Sequence, residues 1–315
     1  MRNVFVKTEG LKTVEDALTS VDCNFDAEMT PVFQENPHPE GIVWVTHQQI
    51  PNFAAVRRGD NKIALGITSA RYGLVQHRES LNFVTDLAQA GEVEIYGATA
   101  TDAGASVYVA VKAPKSVVFA PGDEIECFFT ATNSLDRSGS IEYILSPVHK
   151  KTQTILTTLD TGIIKIRHTK NAKERLARAQ NIVRKMNDIW ANHSEKFERF
   201  SKMAMSDDNA KTYFAMVVPS DEVGDDVPTR IVNVRNKLFD IYKAGVVSQI
   251  PSCRGTLLGG FTAALVFGDY YKSTRSSCVG RTEHDILVES RLTGTAARFK
   301  ADAFSYALRL FNLGK

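Results

Sequence analysis

Hydrophobic and polar residues alternate in short runs through the first half of the chain, a pattern typical of half-buried β-strands. Strands are predicted at residues 42–45, 54–57, 62–67, 93–98, 106–111, 125–132, 140–145 and 163–167. The polar turns at 58–61 and 101–104 join neighbouring runs as hairpins, and strands joined in this way are antiparallel. Helical spacing predicts one helix inserted at 74–90, which Gly91 ends, and a further helix is expected between 145 and 163.

The second half of the chain changes to helical spacing, with apolar positions separated by alternating steps of three and four. These positions are Leu176, Ala179, Val183, Met186, Trp190, His193, Phe197 and Phe200. The heptad pattern predicts a long helix over 170–204, with an apolar stripe that must be buried. Burial against the helices predicted at 229–244, 255–271 and 289–311 is the favoured interpretation, and pairing with a second copy of the chain is the alternative.

These patterns predict an α+β fold, with a mostly antiparallel sheet, an inserted helix and a helical C-terminal region. Residues 1–40 are expected to form an N-terminal segment with a short helix and an irregular proline-rich stretch. Residues 41–169 are expected to form the strand-rich core, and residues 170–315 the helical region. The acidic pieces at 206–208 and 220–228 are predicted to be exposed connections.

Composition indicates an ordinary globular protein of the cytoplasm. No run of apolar residues is long enough to span a membrane, and the first 12 residues lack the apolar core of a secretory signal. The four cysteines are far apart and form no CxxC pair, so free thiols are expected rather than a zinc site or disulfides.

Positive charge is concentrated in one part of the chain, although the net charge is only +2. Residues 137–202 hold 14 Lys and Arg against 6 Asp and Glu, whereas residues 1–60 and 61–136 each hold 5 against 9. A change of sign along one chain is expected when one face meets a polyanion, and a solvated surface is the alternative.

The sequence contains none of the familiar catalytic or cofactor motifs. The phosphate-binding loop GxxxxGK[ST], the dinucleotide motif GxGxxG, the zinc motif HExxH and the nucleophile motif GxSxG are all missing. We therefore predict no catalytic residue, no metal and no cofactor, and action independent of ATP. An enzyme whose site is assembled from scattered residues is a further alternative.

The candidate site begins in the polar segment 131–140, which either closes turns on its own backbone or presents groups to a polyanion. Strand alternation places Lys165 and Arg167 on one face and Ile164 and Ile166 on the other. Tyr143 is either a ring that stacks on a base or a core residue. The predicted phosphate contacts are Arg137, Lys150, Lys151, Lys165, Arg167, Lys170, Lys173, Arg175 and Arg178.

Five motifs in order resemble a family of unknown function carried by phages and plasmids, typified by the prophage proteins YafZ, YfjQ and YubP. The motifs lie at 65–76 (LGITSARYGLVQ), 132–138 (TNSLDRS), 166–169 (IRHT), 256–264 (TLLGGFTAA) and 294–304 (GTAARFKADAF). The chain departs from the family at 147–156 and at Leu135, where the family often has His. The resemblance implies a mobile-element protein, acting in the host cytoplasm if phage-encoded, and brings no established activity.

The leading hypothesis from these observations is a protein that binds single-stranded DNA as a homo-oligomer and promotes strand annealing in phage recombination or repair. Its basic groove would hold phosphates and leave the bases free to pair. The alternative is a phage protein–protein module, either an inhibitor of a host defence enzyme or a structural assembly component.

Overall fold

The computed structural model describes residues 4–7, 10–37, 45–155, 163–169, 171–172, 174, 182–222, 224–273 and 281–313. The strands are β1 (Val6–Lys7), β2 (Ala27–Pro37), β3 (Val45–Arg58), β4 (Ala64–Ser69), β5 (Glu94–Thr101), β6 (Ser106–Ala120), β7 (Asp123–Ser134), β8 (Ile141–Leu145), β9 (Val148–His149), β10 (Thr154–Ile155) and β11 (Ile163–Ile166). The helices are α1 (Val14–Thr19), α2 (His77–Gln89), α3 (Ile182–Lys202), α4 (Asp207–Val217), α5 (Thr229–Lys243), α6 (Gly245–Ser248), α7 (Leu257–Tyr270), α8 (Glu283–Leu292) and α9 (Thr295–Leu313).

The strands form two antiparallel sheets, which confirms the α+β fold. The larger sheet has the order β1-β5-β6-β7-β8-β11, and the β9–β10 hairpin pairs with the first part of β7. The smaller sheet has the order β2-β3-β4. The hairpins predicted from the turns at 58–61 and 101–104 are present as β3–β4 and β5–β6.

Both faces of the larger sheet are covered. On one face, Val109, Ala131 and Tyr143 belong to a core cluster that also contains Leu81 and Val84 of α2. On the other face, α8 packs its Val288 and Leu292 into a second cluster with Tyr108 and Phe128. Near the β7–β8 loop, this second face is lined by polar residues, and the candidate site lies there.

The apolar seam of the long helix is buried against the chain's own C-terminal helices. Trp190, Phe197 and Phe200 on α3 are 3% exposed or less. The ring of Phe197 is stacked 6.5 Å from that of Phe261 on α7, and it also contacts Phe304 on α9. The favoured intramolecular packing is thus confirmed for this part of the seam, while Leu176 and Ala179 lie outside the described residues.

Two local predictions for the first half of the chain were wrong. The proline-rich stretch from Pro31 forms β2, an edge strand in which the pairing register shifts next to Pro31. Edge strands and bulges are where a strand tolerates proline. The segment after β8 forms the β9–β10 hairpin instead of a helix, as far as it is described.

Two further differences lie in the C-terminal half. The acidic residues at 206–208 begin a helix, because the Ser206 side chain accepts a hydrogen bond from the Asn209 backbone and caps α4. The helix predicted at 289–311 is two helices, which separate at Thr293 and Gly294. The segment boundaries proposed at residues 40 and 169 stay a prediction. Residues 42–44 of the first predicted strand lie outside the described part of the chain.

None of the helices within the described ranges is both long enough and apolar enough to cross a membrane.

Candidate functional site

Cations from three separate segments line one open groove of about 1110 Å³. Arg71 lies in the turn that follows β4, Arg137 in the β7–β8 loop, and Arg167 directly after β11. Lys165 on β11 lines the same cavity. Antiparallel pairing explains this convergence, because the end of β7, the start of β8 and the end of β11 meet at one edge of the sheet. We call this cavity the outer groove.

Four cations and only two carboxylates, those of Glu142 and Glu174, line the outer groove, so it carries an excess of positive charge. The side chains of Arg71, Arg137 and Arg167 belong to exposed residues, and none has a carboxylate partner among the described residues. Lys165 differs, since its Nζ lies 2.7 Å from Oε1 of Glu142. Guanidinium groups present several donors in a fixed fork that matches phosphate oxygens. The outer groove is therefore suited to anions with several phosphate groups.

Stacked rings connect the walls of the outer groove. The ring of Tyr72 lies over that of His168, with centroids 5.0 Å apart and planes 22° apart. The Tyr72 hydroxyl donates to the backbone oxygen of Ser134 at 3.1 Å. Nδ1 of His168 is 3.3 Å from the backbone oxygen of Gly73. Burial lowers the pKa of His168, so this ring is held neutral rather than adding to the charge of the groove.

The β7–β8 loop is closed by its own side chains, and this places Arg137 in the groove. Asp136 accepts hydrogen bonds from the Ser134 hydroxyl and from the Ser138 backbone, the latter at 2.8 Å. Arg137 between them has φ +72°, a left-handed conformation that is uncommon outside glycine. The expectation that this segment closes a turn on itself is confirmed for Ser134 and Asp136, while the Arg137 side chain stays exposed and its contact with a polyanion stays a prediction.

Glycine at position 66 lets β4 pack directly on this loop. A Cβ atom at Gly66 would lie 2.9 Å from Cβ and 3.0 Å from Cα of Asp136. Asn133 at the end of β7 is fully buried, and its amide donates to the backbone oxygen of Val75 at 3.1 Å. Both residues thus serve to fix the loop and do not reach the groove.

A second cavity of about 520 Å³ adjoins the outer groove and shares Ser138, Glu142 and Lys165 with it. We call it the inner chamber. Its floor is the polar face of the sheet, where pairing places Tyr108 opposite Thr132, and Thr132 opposite Glu142. Hydroxyl groups therefore line the floor in adjacent strands.

The outer wall of the inner chamber is built by α8 and by the corner between α8 and α9. Arg281 donates to Asp102 through two bonds of 2.9 and 3.1 Å, and it also donates to Glu289. Burial raises the pKa of Asp102, and the Arg281 charge opposes this effect. Arg298 on α9 lines the chamber as an exposed residue.

Two predicted phosphate contacts lie elsewhere, which corrects the expected single groove. The Lys150 backbone donates to Glu124 at the start of β7, and the Lys150 side chain also pairs with Glu124. Ser134 lies ten positions after Glu124 on β7, a distance of about 34 Å along a strand. Lys150 and its neighbour Lys151 are thus far from the outer groove.

Tyr143 is a core residue, so the stacking interpretation was wrong. The side chain is fully buried, its ring contacts that of Phe83, and its hydroxyl donates to the Ser80 backbone oxygen at 2.7 Å. The remaining predicted contacts lie outside the described residues; they are Lys170, Lys173, Arg175 and Arg178.

Sequence reasoning missed three arginines of the site: Arg71, Arg281 and Arg298. Arg71 and Arg298 stand within the motifs at 65–76 and 294–304 that carry the family resemblance. The sequence could have identified both as candidate phosphate contacts, because the motifs at 132–138 and 166–169 had already supplied such candidates. Within the described residues, the acidic, histidine and cysteine side chains form no group suited to a metal ion.

The fold and site together define an α+β protein with a cation-lined groove and an adjoining polar chamber. Residues 64–285 match the model of the domain of unknown function DUF932, and the chain belongs to that family. The matched region includes the three arginines of the outer groove and ends at residue 285, near the start of α8. No curated protein and no solved structure matches the chain.

Proposed function

We propose that the outer groove binds the phosphate backbone of single-stranded DNA without ATP. The observation that carries this proposal is the convergence of Arg71, Arg137 and Arg167 on one open cavity. Each guanidinium is free of carboxylate partners among the described residues. Phosphate contacts of this kind release counterions, and they give affinity that depends on salt rather than on base sequence.

The dimensions of the outer groove favour a single strand over a duplex. The cavity of about 1110 Å³ is comparable to a large small-molecule site. A duplex is stiff over about 150 base pairs and carries its phosphates on the outside of a rigid cylinder, so it cannot follow the walls of a cavity of this size. A flexible single strand can lie between the turn at Arg71 and the loop at Arg137.

The biological role that we propose is strand annealing in phage recombination or repair, with the protein acting as a homo-oligomer in the host cytoplasm. The motif resemblance to prophage proteins supports a mobile-element origin. A protein that holds phosphates and leaves bases accessible would allow complementary strands to pair.

A protein–protein module, either an inhibitor of a host defence enzyme or an assembly component, is the second candidate function. Phe53 and Ile67 on the outer face of the smaller sheet are 46% and 59% exposed. Apolar groups exposed on neighbouring strands are a feature of interaction surfaces.

Binding of a fluorescent single-stranded oligonucleotide at low salt tests the proposed function. The triple variant Arg71→Ala/Arg137→Ala/Arg167→Ala should lose at least tenfold in affinity, since each guanidinium contact with phosphate is charge-assisted. The double variant Lys150→Ala/Lys151→Ala is the matched control and should bind like the wild type. Absence of binding by the wild-type protein would favour the protein-partner function, and equal affinity of all three proteins would exclude the outer groove as the site.

A further inference from the structure

We propose that the inner chamber is a nucleoside pocket, which takes one base and its sugar from the strand held in the outer groove. This inference rests on the proposed function and adds a second, chemically different subsite to it. The chamber volume of about 520 Å³ lies within the range of sites for small organic ligands.

The two cavities are adjacent. Ser138, Glu142 and Lys165 line both of them, so the distance from a phosphate in the outer groove to a group in the inner chamber is no more than the thickness of these side chains. Lys165 lies at this junction with its Nζ 2.7 Å from Glu142. A nucleotide whose phosphate contacts Arg137 or Arg167 can thus extend its nucleoside part inward.

The charge balance changes between the two cavities. In the inner chamber, Arg281 is neutralised by Asp102 and Glu289, and Lys165 by Glu142. Arg298 and Asp136 also line the chamber, so its four carboxylates outnumber its three cations and leave it without the positive excess that a second phosphate would require. Phosphate is therefore favoured outside, and a neutral group that forms hydrogen bonds is favoured inside.

The chamber floor offers hydroxyl groups that the protein itself does not use. Ser106 and Thr132 are each 5% exposed, and neither side chain has a hydrogen-bond partner among the described residues. A hydroxyl group both donates and accepts, so it can pair with either kind of group on a base edge. Tyr108 beside Thr132 adds an aromatic ring to the same floor.

The test compares two single strands of equal length and charge with wild-type protein, one with natural bases and one with an abasic sugar–phosphate backbone. We expect the natural strand to bind about tenfold more tightly, which corresponds to one or two hydrogen bonds. Replacing the hydroxyl groups in Ser106→Ala/Thr132→Val should remove this preference and leave the affinity for the abasic strand unchanged. Thermal unfolding of the variant checks that the floor still folds.

The outcomes separate this inference from the proposed function. Equal affinity of wild-type protein for both strands would overturn the nucleoside pocket and leave the phosphate groove intact. A preference for natural bases that persists in the folded double variant would also overturn it, because the bases would then be bound elsewhere. If neither strand binds, the proposed function itself fails.

Discussion

The ring of Tyr72 is stacked on that of His168, and the two residues come from segments that are far apart in the sequence. Tyr72 belongs to the motif at 65–76 and His168 to the motif at 166–169. The hydroxyl of Tyr72 also donates to Ser134 in the motif at 132–138. One side chain therefore connects three motifs around the outer groove, so motifs that are far apart in the sequence are neighbours in the structure.

Removing the Tyr72 side chain should make the walls of the outer groove less rigid. We predict that Tyr72→Ala weakens oligonucleotide binding several-fold, because it removes both the stacking and the hydrogen bond. Tyr72→Phe keeps the ring and should cost only about 0.5–1.5 kcal/mol of stability, the typical contribution of one hydrogen bond. Fluorescence anisotropy and urea unfolding measure the two effects, and identical behaviour of both variants would show that stacking does not hold the walls.

Gly66→Ala should displace the β7–β8 loop. The added Cβ would lie 2.9 Å from Cβ of Asp136, closer than such atoms approach in folded proteins. We predict a loss of about 1–3 kcal/mol in the free energy of unfolding, together with weaker binding of the strand. Ile67→Ala, which shortens a side chain that is 59% exposed on the same strand, is the control and should affect neither quantity strongly.

The buried pair of Lys300 and Asp269 should be essential to the helical half. Lys300 is fully buried, and its Nζ lies 2.7 Å from Oδ1 of Asp269. Lys300→Met should destabilise the protein by about 3–5 kcal/mol, because it leaves a buried carboxylate without its charge partner. The exposed pair of Lys243 and Asp207 provides the comparison, with a loss below about 1 kcal/mol for Lys243→Met.

The double variant Lys300→Met/Asp269→Asn separates charge from packing. The asparagine introduced at position 269 has an amide oxygen that can still accept a hydrogen bond from the Ile155 backbone N–H. In the wild type this N–H donates to Asp269 at 3.0 Å. We expect chemical denaturation to show that this variant is more stable than Lys300→Met alone. A double variant as unstable as the single one would mean that packing, not the unpaired charge, dominates.

Stability should fall in mild acid because of buried histidines. Burial lowers the pKa of His77 to about 4, from an ordinary value of 6.5. Between these values the unfolded chain binds a proton that the folded chain rejects, so stability decreases as the pH falls. The slope is about 1.4 kcal/mol per pH unit for one such group.

Urea unfolding between pH 7 and pH 4 measures this effect. His77→Gln should show a smaller slope than the wild type, although its stability at pH 7 will be lower. An unchanged slope in His77→Gln would contradict the assignment of this histidine as a neutral core residue.

The sequence predicted those elements in which local pattern and burial agree. The seam from Met186 to Phe200 specified a helix with one buried face, and the turn at 58–61 specified a hairpin. Prediction failed where distant partners decide the structure. Pro31 disfavours a central strand, but β2 lies at an edge, where the missing donor is tolerated.

The candidate site was predicted in part. Alternation on β11 correctly placed Lys165 and Arg167 on the exposed side, since Ile166 is buried. Lys150 and Lys151 are close to Arg137 in the sequence, but the β9–β10 hairpin carries them to the opposite end of β7. Proximity in sequence could not reveal this reversal, nor the approach of Arg281 from the segment just before α8.

The salt dependence of single-strand binding tests the central claim most directly, because it counts phosphate contacts. Three contacts predict that log K falls with log salt at a slope near −2, about −0.7 for each phosphate. Arg137→Ala should reduce the magnitude of this slope by about 0.7, and Lys151→Ala should leave it unchanged. A slope near zero for the wild type, or an equal change in both variants, would contradict a phosphate-binding groove formed by Arg71, Arg137 and Arg167.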